Sequence, residues 1–277
     1  MQNLQISILG TGSMGGAILT GLLRSGHNPE TIRVTSKSNE SASSLHTQNR
    51  VQAIATESNP NANVEATKEA DIVILGVKPA QILSVLEQIA PALKPGALVI
   101  SVAAGITTTA MEKIVGNRAA VIRAMPNTPA VLGLGVTGLS KGQSASPEQL
   151  ALATELFRTV GEVLVVEESQ INALSTISGS GPAYLFYFAE KLIEAAKKLG
   201  FTQSEAELMV KATFLGSSKL LTESDQTSQQ LRANVTSPGG TTMQAIARFD
   251  EADLEQVFIE ATKSALARAV ELGSLNS

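Results

Sequence analysis

The sequence contains no cysteine, which excludes a disulfide framework, a thiolate metal site and a thiol nucleophile. Histidine is almost as scarce. His27 and His46 are the only imidazoles, each expected as a surface polar residue rather than a ligand, so no metal site is expected. No basic run stands out, and 21 Lys and Arg face 25 Asp and Glu for a net charge of −4. That balance argues against nucleic acid or an anionic membrane as partner. Long apolar runs are missing as well: none approaches the roughly 20 residues of a membrane span. The first apolar stretch starts at Leu4, breaks at Gly10 and lacks a basic flank and a cleavage pattern. The chain reads as soluble and cytoplasmic.

What is present is a chain of 277 residues, 43% hydrophobic and 17% charged, long enough for two domains and apolar enough for a large core. Its aromatic residues, two Tyr and seven Phe, all lie at or beyond Phe157, with four between Tyr184 and Phe188. That shift predicts two differently built domains, 1–164 and 165–277.

The first half alternates short β-rich runs with helical segments. Strands are predicted at Leu4 to Leu9, Thr31 to Thr35, Asp71 to Val77, Ala97 to Val102, Val121 to Met125, Gly135 to Leu139 and Glu162 to Val166. Helices are predicted at Ala17 to Leu23, Ser41 to Gln48, Gln81 to Ala90 and from Ser146-Pro147 to about Thr159. Continuous apolar strands in this rhythm imply an α/β domain of Rossmann type, its mostly parallel sheet covered on both faces. The remainder reads as all-helical, with long helices at Pro182 to Leu199, Gln203 to Leu221 and Glu251 to Leu272. The first of these is apolar or aromatic at every position from Ala183 to Ala189. A helix apolar all round needs cover on more than one side, so a second subunit is expected against it.

Gly10-Thr11-Gly12-Ser13-Met14-Gly15 fits the dinucleotide-binding fingerprint, with a strand before it and a helix after. The first glycine allows a tight turn, the second lets the backbone approach a pyrophosphate, and the third lets helix and strand pack closely. The anion then meets free amides at a helix N-terminus. The end of the second strand selects the cofactor. An acidic residue there would take the ribose 2′-hydroxyl of NAD, whereas Val34-Thr35-Ser36-Lys37-Ser38-Asn39 has no carboxylate before Glu40. Hydroxyls and an ammonium suit a 2′-phosphate, so NADP(H) is favoured and NAD(H) is the alternative.

Five further segments together resemble the pyrroline-5-carboxylate reductase family. They are Val77-Lys78-Pro79, Ser101 to Gly105, Arg123 to Ala130 (RAMPNTPA), Ser178 to Tyr184 (SGSGPAY) and Val235 to Thr242 (VTSPGGTT). The last two are the most specific, because generic dinucleotide-binding domains lack them. The resemblance implies reduction of 1-pyrroline-5-carboxylate to proline with NAD(P)H, the last step of proline biosynthesis. It implies a Rossmann domain followed by a helical domain that dimerises with its twin, in many members within rings of dimers. It also implies cofactor contacts at Thr11, Ser13, Ser36 and Asn63, beside Gly10, Gly12, Met14, Gly15 and Lys37 of the motifs above. Val77, Lys78 and Ala104 match the nicotinamide side, and Pro79 and Ala103 of the same segments are further expected cofactor contacts.

For the substrate, Gly239-Gly240-Thr241-Thr242 precedes Met243 to Phe249, which predicts a helix N-terminus whose free amides suit a carboxylate. By the resemblance Gly240, Thr241 and Thr242 hold the substrate, with the Thr242 hydroxyl as the catalytic group nearest the ring nitrogen. Asn234 matches a position touching both substrate and cofactor, and Glu168 and Ser175 match polar neighbours of the substrate. A protonated imine is already an electrophile and asks mainly for orientation and charge complementarity. A ketone would demand a proton donor for the developing alkoxide. One departure is visible: the family commonly has His-Pro where this chain reads Thr227-Ser228-Gln229-Gln230. The alternatives are a reductase of another cyclic imine or of a β-hydroxy acid, and a non-catalytic NADP-binding scaffold. The β-hydroxy-acid chemistry expects a lysine beside a Gly-x-x-Gly turn, a setting that Lys191, Lys197 and Lys198 lack.

Overall fold

A computed structural model describes residues 4–274. The chain begins β1 (Ile6–Leu9), α1 (Ser13–Arg24), β2 (Ile32–Ser36), α2 (Asn39–Asn49), β3 (Gln52–Ala55), α3 (Ala62–Thr67), β4 (Ile72–Leu75) and α4 (Ile82–Ile89). It continues through β5 (Ala97–Ser101), α5 (Thr108–Val115), β6 (Ala119–Met125), β7 (Gly135–Lys141), α6 (Pro147–Arg158) and β8 (Gly161–Val165). The strands form one sheet in the order β3-β2-β1-β4-β5-β6-β7-β8. Neighbours from β3 to β6 are parallel, β7 runs antiparallel to β6, and β8 is parallel to β7. This is the mostly parallel α/β sheet that the alternation predicts.

Alternate residues of the strands feed two cores. Ile6, Ile8, Ile72 and Ile74 pack on one face with Ile18 and Leu22 of α1 and Leu156 and Phe157 of α6. Leu9, Val73 and Leu75 point to the other face, against Ile82, Leu86 and Ile89 of α4 and Met111 of α5. Each such side chain contributes about 1.5–3 kcal/mol on burial, so the strand ends that bear the glycine turn are rigidly held from both sides.

Beyond β8 the chain is helical: α7 (Glu168–Leu174), a π-type turn (Ser175–Gly179), α8 (Gly181–Lys198), α9 (Gln203–Glu223), α10 (Ser228–Asn234), α11 (Thr241–Glu251) and α12 (Leu254–Ser274). The expected helix from Glu251 to Leu272 needs correction, because Glu251 ends α11 and a new helix starts at Leu254. Asp253 takes a left-handed conformation (φ 47°), which stops one helix, and its Oδ1 accepts from the Gln256 amide at 3.3 Å in the first turn of the next. The segment that departs from the family pattern forms a closed capping box: Thr227 Oγ1 accepts from the Gln230 amide, and Gln230 Oε1 accepts from the Thr227 amide at 2.8 Å.

Two packing units emerge. The first comprises residues 4–182 with 265–274, the second residues 183–264. In the first, α7 lies on the sheet with Ile171 and Leu174 over Gly138 of β7. In the second, Phe188 and Phe258 stack with ring centroids 5.9 Å apart. They line an apolar recess of about 220 Å³ with Tyr184, Tyr187 and Val257. Leu185, Phe186 and Tyr187 of α8 are exposed in the single chain, Phe186 by 66%. Among the described residues no helix is long and apolar enough to cross a membrane.

His27 is buried rather than on the surface as expected. Its Nε2 lies 3.1 Å from the Leu4 carbonyl oxygen, and burial pushes its pKa below the usual histidine value. His46 Nδ1 lies 2.8 Å from the Val51 carbonyl oxygen, at the end of α2.

Candidate active site

The C-terminal ends of β1, β2 and β4 open on a cleft of about 600 Å³, the place where open α/β sheets bind ligands. Its floor is backbone. Gly10 has φ 89° and faces Val77 so closely that a Cβ would lie 2.8 Å from Val77 Cγ1. A Cβ on Gly15 would lie 2.4 Å from the Gly10 carbonyl oxygen, and one on Gly76 would lie 2.5 Å from the same atom. These glycines let β1, β4 and α1 close on one another.

Gly12 differs. Its φ of −73° suits any residue, and a Cβ there would meet nothing within 4 Å. No part of the described fold requires glycine at this position, so its bareness leaves room for a ligand. Gly12 is also the N-cap of α1, and among the described residues no side chain caps that helix. The amides of Ser13, Met14 and Gly15 therefore have no acceptor within α1 and stand at its positive end. That is the seat of a pyrophosphate, and the residues present fit one.

Ser36, Lys37 and Ser41 line the far side of the cleft. The Ser36 hydroxyl donates to the Ser38 carbonyl at 3.0 Å, and Ser38 caps α2 by accepting from the Ser41 amide at 3.2 Å. Lys37 is exposed beside them. The first amide of α2, that of Asn39, is taken by Glu57 Oε1 at 2.6 Å, so the hydroxyls and the Lys37 ammonium are what this corner offers a 2′-phosphate.

Asn63 lines the same cleft from α3. Its Oδ1 accepts from the Thr35 hydroxyl at 2.9 Å and its Nδ2 donates to Gln88 Oε1 at 3.4 Å. Thr35 in turn holds the glycine turn: its carbonyl oxygen accepts from the amides of Gly10 and Thr11 at 3.2 and 3.0 Å. Thr35, Gln81 and Gln88 were not among the residues singled out by sequence, yet all three line the cleft. Thr35 sits on a β-strand where a buried threonine reads as ordinary. Gln81 and Gln88 sit on a helical segment where glutamine reads as solvated.

Thr11, Val77 and Lys78 also line the cleft. Pro79 is exposed and opens the short turn before α4. Ala103 is buried in the core under β5, so its side chain points away from any ligand, while Ala104 is exposed. Ser13 is exposed, and Met14 packs partly against the core.

Glu168 heads α7, where its Oε1 meets Nη1 of Arg123, a β6 residue, at 2.9 Å. Ser175 starts the π-type turn and its hydroxyl donates to the Asn172 carbonyl at 2.7 Å. In the second unit, Asn234 ends α10 and its Nδ2 donates to Gln226 Oε1 at 2.7 Å. Gly240 is the N-cap of α11, and among the described residues no side chain caps that helix. The amides of Thr241 and Thr242 thus have no acceptor within α11, with Thr241 exposed and Thr242 half-buried.

Two family models match the chain. Residues 168–272 match pyrroline-5-carboxylate reductase dimerisation, and residues 5–105 match NADP oxidoreductase, coenzyme F420-dependent. A pyrroline-5-carboxylate reductase of Corynebacterium melassecola is 38% identical over 97% of this chain and 98% of its own. The solved pyrroline-5-carboxylate reductase of Coxiella burnetii is 39% identical, with a TM-score of 0.90 over 97% of this chain and 98% of that one. That of Plasmodium falciparum, solved with NADP bound, is 27% identical with a TM-score of 0.84 over 99% of both chains. With such likeness along almost the whole length, the chain belongs to the pyrroline-5-carboxylate reductase family.

Proposed function

We propose that this chain reduces 1-pyrroline-5-carboxylate to L-proline with NADPH, the last step of proline biosynthesis. The observation that carries the proposal is the bare Gly12 at the uncapped start of α1, in a chain whose relatives of that name match it nearly end to end. When bound, the reduced nicotinamide supplies the hydride.

The chain's own residues bind and orient. The amides of Ser13, Met14 and Gly15 hold the pyrophosphate, with Gly10, Thr11 and Gly12 forming the turn beneath it. Ser36 and Lys37 hold the 2′-phosphate, and Asn63 closes the nucleotide side. Val77, Lys78, Pro79, Ala103 and Ala104 frame the nicotinamide side, Ala103 through its backbone alone. Gly240, Thr241 and Thr242 hold the substrate carboxylate at the positive end of α11. The Thr242 hydroxyl stands nearest the ring nitrogen and is the catalytic group. Asn234 serves substrate and cofactor together, and Glu168 and Ser175 are polar neighbours of the substrate. A cationic imine needs no further activation, so fixing it against the hydride donor supplies most of the acceleration.

Residues 1–164 serve as the cofactor-binding domain and 165–277 as the dimerisation and substrate domain. The working form is a cytoplasmic homodimer joined through the C-terminal helices, with rings of dimers as its higher assembly. The apolar flank of α8 and the match to a dimerisation model support the dimer.

The test is NADPH oxidation on adding 1-pyrroline-5-carboxylate and, separately, its six-membered homologue. Rapid turnover of the five-membered ring, lost in Thr242→Ala, is the expected result. NADPH binding without oxidation by either imine would overturn the assignment.

A further inference from the structure

Arg123 is 3% exposed, on β6 between Ser101 of β5 and Ser140 of β7. Its guanidinium reaches two residues one helical turn apart on α7: Nη1 donates to Glu168 Oε1 at 2.9 Å and Nη2 to Asn172 Oδ1 at 3.0 Å. The Thr108 amide adds a longer contact to Glu168 Oε1 at 3.4 Å. Glu168 Oε2 is buried and has no partner among the described residues, and neither has the buried Nε of Arg123.

That division is unusual for a purely structural ion pair. An arginine and a carboxylate left to themselves favour two parallel bonds, which occupy both oxygens. Here Nη2 is spent on Asn172 and Nε faces no acceptor, so only Nη1 reaches the carboxylate and one of its oxygens is withheld. A buried acceptor without a donor costs about 1–3 kcal/mol, so a fold that keeps one gains from what later fills it. The place agrees: Thr108 opens α5 three positions after Gly105 of Ala103-Ala104-Gly105, at the C-terminal edge of the sheet where ligands bind.

We propose that Arg123 and Asn172 are positioning residues which hold Glu168 so that its Oε2 accepts an N–H from a bound ligand. The donor is either the carboxamide of the nicotinamide or the protonated ring nitrogen of the cyclic imine. The inference rests on the function proposed above and adds to it two residues that touch neither ligand.

Asn172→Leu is the informative variant. It frees Nη2 to swing onto Oε2, so the ion pair becomes two-pronged and the acceptor is consumed. The expected result is a roughly ten- to hundredfold fall in one ligand parameter, the scale of a hydrogen bond to a charged group, with the melting temperature kept. If the donor is the imine, kcat/KM for 1-pyrroline-5-carboxylate falls while the NADPH Kd from fluorescence titration stays put. If it is the carboxamide, the NADPH Kd rises. Glu168→Gln retains an acceptor for Arg123 and places an amide NH₂ at Oε2, and the same parameter should fall. Asn172→Gln, which keeps an acceptor for Nη2, should restore it in part. Unchanged Kd and kcat/KM in both Asn172→Leu and Glu168→Gln would overturn the positioning role. Failure of the wild-type protein to oxidise NADPH with the imine would instead overturn the functional reading, and the NADPH Kd would still decide the positioning.

Discussion

The Thr35 hydroxyl donates to Asn63 Oδ1 across 2.9 Å, and through that bond the glycine turn is tied to the helix on the opposite wall of the cleft. The same hydroxyl oxygen accepts from the Gly10 amide at 3.1 Å. Thr35→Val keeps the shape and deletes both bonds. It should lower unfolding free energy by about 1–3 kcal/mol and weaken NADPH binding several-fold, with Thr35→Ser recovering most of both. Urea denaturation and NADPH titration check it, and an unchanged Kd would mean that the turn holds its shape without Thr35.

Gly12 and Gly15 should respond to alanine in opposite ways. At Gly15 the new Cβ lies 2.4 Å from a backbone oxygen, so folding itself should suffer. At Gly12 it meets nothing, so the melting temperature should hold while NADPH affinity drops by at least tenfold. Calorimetric melting with and without NADPH separates the two.

Lys37→Ala should raise the KM for NADPH by roughly three- to tenfold, the part of a charge-assisted bond that survives at an exposed position. The KM for NADH should barely move. Equal effects on both cofactors would place Lys37 away from the 2′-phosphate.

His27 gives the fold a dependence on pH. Its folded pKa is lowered by burial, and the unfolded chain takes its proton near the ordinary value of 6.5. Above that pH both states are neutral and the stability is full. Below it the unfolded state binds the extra proton, so stability falls until the pH passes the lowered folded value. Thermal melting from pH 7.5 downward should show this decline, and His27→Gln, which can still donate to the Leu4 carbonyl, should flatten it.

Phe186→Glu places a charge on the exposed apolar flank of α8, where Phe186 is 66% accessible in the single chain. Dimer dissociation should become measurable at micromolar concentration by sedimentation velocity, with the far-UV spectrum preserved.

The sequence made the strands of the sheet's centre easy to find, since Ile72–Leu75 is an unbroken apolar run and Ala97–Ser101 is apolar up to its last residue, each buried on both faces. β3 (Gln52–Ala55) and α3 (Ala62–Thr67) escaped notice because small and polar residues give them no period. The glycine turn was legible because its chemistry is local. The roles of Thr35 and Arg123 were not, because each acts on residues 28 and 45 positions away, and no spacing rule reports such pairs. The break at Asp253 was hidden by the continuous helical pattern on either side of it.

The reversal of direction at β7 bears on the order in which the molecule assembles. Six parallel strands and the glycine turn are encoded by Met125, so the nucleotide half of the sheet is complete in the emerging chain before Glu168 exists. Arg123 at that stage is a positive charge at the edge of an unfinished sheet. It is neutralised only when β7 turns back, β8 adds to it and α7 follows. In the finished fold the strand that covers Arg123 and the carboxylate that neutralises it both come from later in the chain, so docking of α7 is expected to follow completion of the sheet.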